Sequence, residues 1–244
     1  MMFAPWLLAA ALTVLPPLHS THGLIEYHMH MERSDGGKRV ALTFDACTGK
    51  VDERILKALV DNNIKATIFV TARWLKRNPV AIAELKAHSD LFEIENHGAK
   101  HLPAVDVPMN VFSLVAAGSA EAIKTEVEGG EAAVKAAFGT TPHWYRGATA
   151  EYTKSALELI RTLNFKPAGF SLSGDGGASW TSTRAAKAVA SAKDGDVIIA
   201  HINQPTKPAG PGVVNGILKL KEEGFTFVTL DEGFKTNALA TERR

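Results

Sequence analysis

The stretch Lys38-Arg39-Val40-Ala41-Leu42-Thr43-Phe44-Asp45 decides the fold. Its apolar part, Val40 to Phe44, is short, β-rich at its ends and stops at an acidic residue, which reads as a buried strand. Asp52 to Asn62 then carries Ile55, Leu56, Leu59 and Val60 at helical spacing, with Asp52 and Glu53 suited to the positive end of a helix. The rhythm repeats outward from there. Ala66 to Val70 reads as a strand, Val80 to His88 as a helix, and Leu91 to Glu95 as a strand running into Asn96-His97. Residues 102–118 read as an irregular loop. A long helix over Ala120 to Phe138 ends at Gly139, and a short strand from His143 to Tyr145 leads to Arg146. Helices over Thr153–Leu163, Thr183–Ala192 and Val213–Glu223 alternate with strands over Pro167–Leu172, Asp196–Ala200 and Phe225–Leu230.

Near-continuous apolar strands between amphipathic helices specify an α/β fold, a parallel sheet covered by helices. About seven alternations in this length suit a (β/α) barrel better than an open sheet, and such barrels place their chemistry where strands end and βα loops begin. The chain has 244 residues, 45% apolar and 22% charged, an ordinary globular balance with a net charge of +1. No basic stripe with interleaved aromatics points to nucleic acid. Met1 to Leu18 is almost wholly apolar and breaks at Pro16 and Pro17, so residues 1–22 read as a signal peptide of an exported, periplasmic or secreted protein. Nothing later is long and apolar enough to span a bilayer. Residues 23–37 read as a linker, 38–235 as one catalytic domain and 236–244 as a tail. His19, His22, His28 and His30 could bind a metal weakly, but a flexible segment is the plainer reading.

Asp45, His97, Arg146 and His201 each follow an expected strand. If the strands are parallel, four ionisable side chains converge on one face. Taken singly, Asp45 is a helix cap, His97 a satisfied core histidine and Arg146 a partner for any carboxylate; all four by accident is a poor explanation. His97 and His101 form an H-x-x-x-H pair, a spacing that on a helical turn shares one face and can chelate an ion. Histidine with a carboxylate suits Zn²⁺.

Thr43-Phe44-Asp45, His97-Gly98-Ala99-Lys100-His101, Arg146-Gly147 and Ile199-Ala200-His201 resemble, in order and rough spacing, the successive motifs of the polysaccharide deacetylases, the NodB-homology family also called carbohydrate esterase family four. The resemblance covers about residues 38–232. It implies a distorted (β/α) barrel that removes N- or O-acetyl groups from a carbohydrate or cell-wall polymer with a divalent metal, Zn²⁺ above all. By that resemblance Asp45 is the base acting on a metal-activated water, His97 and His101 hold the metal, Arg146 fixes and polarises Asp45, and His201 is the acid that protonates the leaving group.

Three departures stand out. The first motif of the family carries a second aspartate that binds metal, and here that position is Ala46. Asp52 or Glu95 could supply the missing ligand; alternatively Asp45 itself binds the metal. The proline two residues after the arginine is Ala148. The fourth motif corresponds loosely to Ser173–Trp180, so Asp175, Trp180 and also Trp144 are candidates for a substrate pocket, with rim or core packing as the plain reading for both tryptophans. Cys47 could act as a nucleophile or as a thiolate ligand, or be inert in a tight turn. Two other functions stay open beside the deacetylase: hydrolysis of a small amide, with residues 102–118 as a lid, and glycan binding without catalysis.

Overall fold

The computed structural model describes residues 23–33 and 36–234. Seven parallel strands lie side by side in the order Leu172–Ser173, Val197–His201, Arg39–Ala46, Ala66–Val70, Phe92–Asn96, Trp144–Tyr145 and Lys166–Pro167, and curl into an incomplete barrel. An eighth strand, Thr226–Val228, pairs with the first half of Arg39–Ala46. The expected distorted (β/α) barrel of about seven parallel strands is the observed architecture. No helix of the described residues is long and apolar enough to cross a membrane.

The strand Arg39–Ala46 is buried almost throughout, because its two faces serve two cores. Successive side chains point to opposite faces of a strand. Val40, Leu42, Phe44 and Ala46 pack outward against Ile55, Leu59 and Trp74 of the covering helices. Ala41 packs inward with Phe69, Trp144 and Val197, leaving Thr43 and Asp45 to the upper interior. The helices begin where short polar side chains cap them: Asp52 before Glu53–Asp61, Ser119 before Ala120–Phe138, Thr153 before Lys154–Thr162 and Thr181 before Ser182–Ala190. Gly139 ends the long helix at φ 74°, as its position predicts.

Two expectations are corrected. Residues 24–31, read as part of a linker, form a strap over the barrel's open side. Ile25–Glu26 pairs antiparallel with Glu151–Tyr152, Met29 N–H donates to Phe170 O at 3.1 Å, and Met31 N–H donates to Gly195 O at 2.8 Å. Tyr27, Met29 and Met31 are buried. The strap also breaks the single strand expected over Pro167–Leu172 into Lys166–Pro167 and Leu172–Ser173, since Phe170 N–H donates to Tyr27 O instead. Gly169 permits this: a Cβ there would lie 1.5 Å from Tyr27 O. The loop over 102–118, expected to be irregular, contains a small hairpin of Asn110–Val111 and Leu114–Val115. The signal segment 1–22 and the tail 236–244 lie outside the described residues.

Candidate functional site

Asp45 and Arg146 meet at the top of the barrel interior. Arg146 is wholly buried. Its Nη1 donates to Asp45 Oδ1 and to Thr43 Oγ1, both at 2.9 Å, and Nη2 donates to Gly169 O at 2.7 Å. The guanidinium also lies over the Phe69 ring, 4.3 Å from its centroid. Burial pushes the Asp45 carboxyl up, but His97, Arg146 and His201 more than offset it and hold it below the ordinary carboxylate range. Asp45 is therefore ionised at neutral pH.

His97 leaves the strand Phe92–Asn96 into the same space. Its Nδ1 donates to Arg146 O at 2.7 Å, because a carbonyl can only accept. That bond leaves Nε2 facing the site, 3.7 Å from Asp45 Oδ2 and 3.6 Å from Cys47 Sγ. Burial pushes the imidazole down, but Asp45 and Cys47 more than offset it and raise it above the ordinary histidine range. His101 joins it, the two rings edge to face at 5.0 Å. The expected helical turn between them is absent: Gly98 and His101 both have positive φ, 88° and 66°. The turn is held from outside by Glu126, a buried residue that sequence reasoning missed. Its Oε1 accepts from the N–H groups of Lys100 at 2.7 Å and Leu102 at 3.1 Å. Asn96 Oδ1 accepts from Gly98 N–H at 2.8 Å and locks the turn's start.

Cys47 lies two residues beyond Asp45, so its side chain returns to Asp45's face, whereas Ala46 packs outward in the helix-covered core. Cys47 Sγ and one ring nitrogen from each of His97 and His101 lie within 4.8 Å of one another. Burial pushes the thiol up, yet hydrogen bonds from His101, His201 and His97 bring it well below the ordinary thiol range. Neither carboxylate considered for the missing ligand is here. Asp52 caps a helix, and its oxygens are taken by Arg54 Nε and Nη2 at 2.7 and 2.6 Å. Glu95 sits lower on its strand, where Oε2 accepts from the N–H groups of His143 and Trp144 at 2.8 and 2.7 Å.

His201, the last residue of Val197–His201, is in register with Asp45 on the neighbouring strand. Asp175 holds it: the carboxylate accepts His201 N–H at 2.6 Å and faces Nδ1 at 3.1 Å. Burial pushes the imidazole down, but Asp175, through charge and hydrogen bond, carries it well above the ordinary histidine range. Asp175, read as a pocket residue, thus orients and charges His201. Trp144 is corrected as well, being a core residue packed on Phe234 with Nε1 donating to Asp231 Oδ1 at 3.1 Å. Trp180 lies on the rim, its ring stacked on Arg184 at 4.0 Å and its backbone N–H donating to Asp175 O at 3.1 Å. Asn203 is a second residue missed from sequence. With its amide oriented to match donors to acceptors, it donates to Asp45 O at 3.1 Å and accepts from Thr48 N–H at 3.3 Å, fixing the loop that carries Cys47.

The structure thus brings together Asp45, His97, His101, Arg146 and His201 with Cys47 and Asp175, both already candidates from the sequence, and leaves Asp52, Glu95 and Trp144 outside. Asp45, His97 and Arg146 are buried, and of the five residues expected in the site only His101 and His201 are partly exposed.

Known proteins resemble this chain in sequence and in fold. A bifunctional xylanase/deacetylase of Pseudobutyrivibrio xylanivorans is 25% identical over 202 residues, which cover 81% of this chain; the chain spans 31% of that protein's length. A family 4 acetyl xylan esterase from Clostridium thermocellum, solved with a cobalt ion, is 27% identical with a TM-score of 0.64, over 81% of this chain and 91% of that one. A CE4 family pseudoenzyme from Bacillus anthracis shares the fold at a TM-score of 0.64 and 20% identity, over 82% of this chain and 66% of that one. The sequence profile of the polysaccharide deacetylases matches residues 32–168, more than half of the chain, which therefore belongs to the polysaccharide deacetylase family.

Proposed function

We propose that this protein is a metal-dependent hydrolase that removes N- or O-acetyl groups from a carbohydrate polymer. The carrying observation is the pairing of Asp45 and His201. They sit in register on adjacent strands, one held ionised by Arg146 and the other held as imidazolium by Asp175. Two titratable groups pushed apart in this way are suited to act as base and acid on one bond. The two ring nitrogens of His97 and His101, one with its tautomer fixed by a backbone carbonyl, fit a divalent ion of the zinc type. Such an ion supplies carbonyl polarisation and a more acidic water.

Asp45 takes the proton of the attacking water as its oxygen bonds to the acyl carbon. Arg146 fixes the carboxylate's direction and keeps it ionised. His201 gives a proton to the leaving nitrogen or oxygen as the acyl bond breaks, so the products are acetate and a free amine or hydroxyl. The apolar run from Met1 to Leu18 supports an exported enzyme that meets its polymer outside the cytoplasm.

A second reading, glycan binding without hydrolysis, is favoured by Ala46 and by the likeness to a pseudoenzyme. Acetate release by the zinc-loaded chain separates the two, assayed on N-acetylglucosamine oligomers and acetylated xylo-oligosaccharides. The deacetylase reading expects release by wild type and a kcat about 10²- to 10⁴-fold lower for Asp45→Asn. Binding of these oligomers with no release from either class supports the second reading and overturns the first.

A further inference from the structure

We infer that Cys47 is a protein ligand of the metal centre, so that the site is Cys47–His97–His101 and the thiolate takes over from the aspartate absent at position 46. The inference rests on the metal-dependent reading above.

Four observations carry it. The donor atoms of Cys47, His97 and His101 come from two separate βα loops and still lie within 4.8 Å of one another, near enough to close around a single ion. Ala46 packs in the core with Trp74 and Val70 and brings no donor atom, while Cys47 lies beside both histidines. His97 directs Nε2 towards Sγ, at 3.6 Å, because Nδ1 is occupied by Arg146 O. The Cys47 backbone is tied on both sides, by Thr71 Oγ1 donating to its carbonyl and by Asn203 bridging Asp45 and Thr48, which is the rigid support a metal ligand needs.

The rival use of the thiol is as a nucleophile, with His201 as base and Asp175 behind it. A nucleophile needs one imidazole. Cys47 instead has His97 Nε2 at 3.6 Å and a His101 ring nitrogen within 4.8 Å, and neither has a part in that scheme. A sulfur and two imidazoles also form a softer set than a carboxylate and two imidazoles, which favours zinc over magnesium or calcium.

The test is X-ray absorption at the zinc edge of the full chain loaded with one equivalent of zinc. The expected spectrum contains one sulfur at about 2.3 Å beside nitrogen or oxygen neighbours at about 2.0–2.1 Å. In Cys47→Asp the sulfur shell disappears while zinc stays bound. The wild-type spectrum decides the matter even if that variant does not fold. Zinc bound by nitrogen and oxygen alone overturns the assignment of Cys47 and leaves the metal-dependent reading standing. A wild type that hydrolyses substrate but binds no zinc overturns both.

Discussion

Asp175 grips His201 at two points, accepting its backbone N–H at 2.6 Å and facing its Nδ1 at 3.1 Å. One carboxylate therefore sets both the position and the charge of the imidazole.

Asp175→Asn tests this. Asp175 raises the His201 pKa, and a general acid works only while protonated, so wild-type activity falls where pH rises through that raised value. In the variant the imidazole loses its proton at lower pH, so the alkaline limb of the kcat profile is expected to move to lower pH. At neutral pH kcat drops about 10- to 100-fold. An unmoved limb counts against His201 as the acid.

The Asp45–Arg146 pair is fully buried, and removing one partner leaves an uncompensated charge. Arg146→Ala is expected to lower unfolding stability by about 3–5 kcal/mol in urea denaturation. A loss below about 1 kcal/mol, the range of surface pairs, contradicts the burial argument.

Glu126 holds the turn before His101 through backbone groups: its carboxylate accepts from the N–H groups of Lys100 and Leu102, and its carbonyl, which a side-chain substitution leaves in place, accepts from Ala99 N–H at 3.0 Å. Calorimetry on Glu126→Ala is expected to show zinc affinity about 10- to 100-fold weaker. Glu126→Gln keeps an oxygen acceptor and retains most of the affinity. Equal affinity in all three proteins means the turn does not need this anchor.

Glu95 carries a pH signature of its own. Burial, aided by Glu93 and Asp231, pushes its carboxyl up to about 9 against the hydrogen bonds from Trp144 and His143. The unfolded chain ionises this group near 4.5, so stability is lost as pH rises from about 4.5 towards 9. Glu95→Gln is expected to remove that loss, gaining on the order of 1–3 kcal/mol over wild type at pH 8 and little at pH 4. Parallel stability curves for the two proteins refute it.

The barrel and four of its site residues were legible because apolar strands end at Asp45, His97, Arg146 and His201, and a parallel sheet gathers such ends. What hid was whatever depended on a partner far along the chain. The strap over 24–31 shows strand alternation, Tyr27-His28-Met29-His30-Met31, but the intervening histidines suggest a polar linker until Glu151–Tyr152 and Phe170 are seen beside it. Glu126 did leave a signal, a carboxylate on the buried stripe of Ile123, Val127 and Val134. Nothing in that helix tells which loop it serves. Asp52 misled because its two roles, helix cap and metal ligand, ask for the same side chain, and only the Arg54 fork decides between them. Cys47 was open as a thiolate ligand in the sequence, and its place just past the strand's end did not by itself tell that role from a nucleophile or an inert turn residue.

Metal dependence is the central claim, and acetate release by chelator-stripped protein, before and after zinc is returned, tests it most directly. The expected result is activity that falls to background on stripping and returns in full with one equivalent of zinc in wild type but not in His97→Ala. Undiminished release by the stripped protein would contradict it.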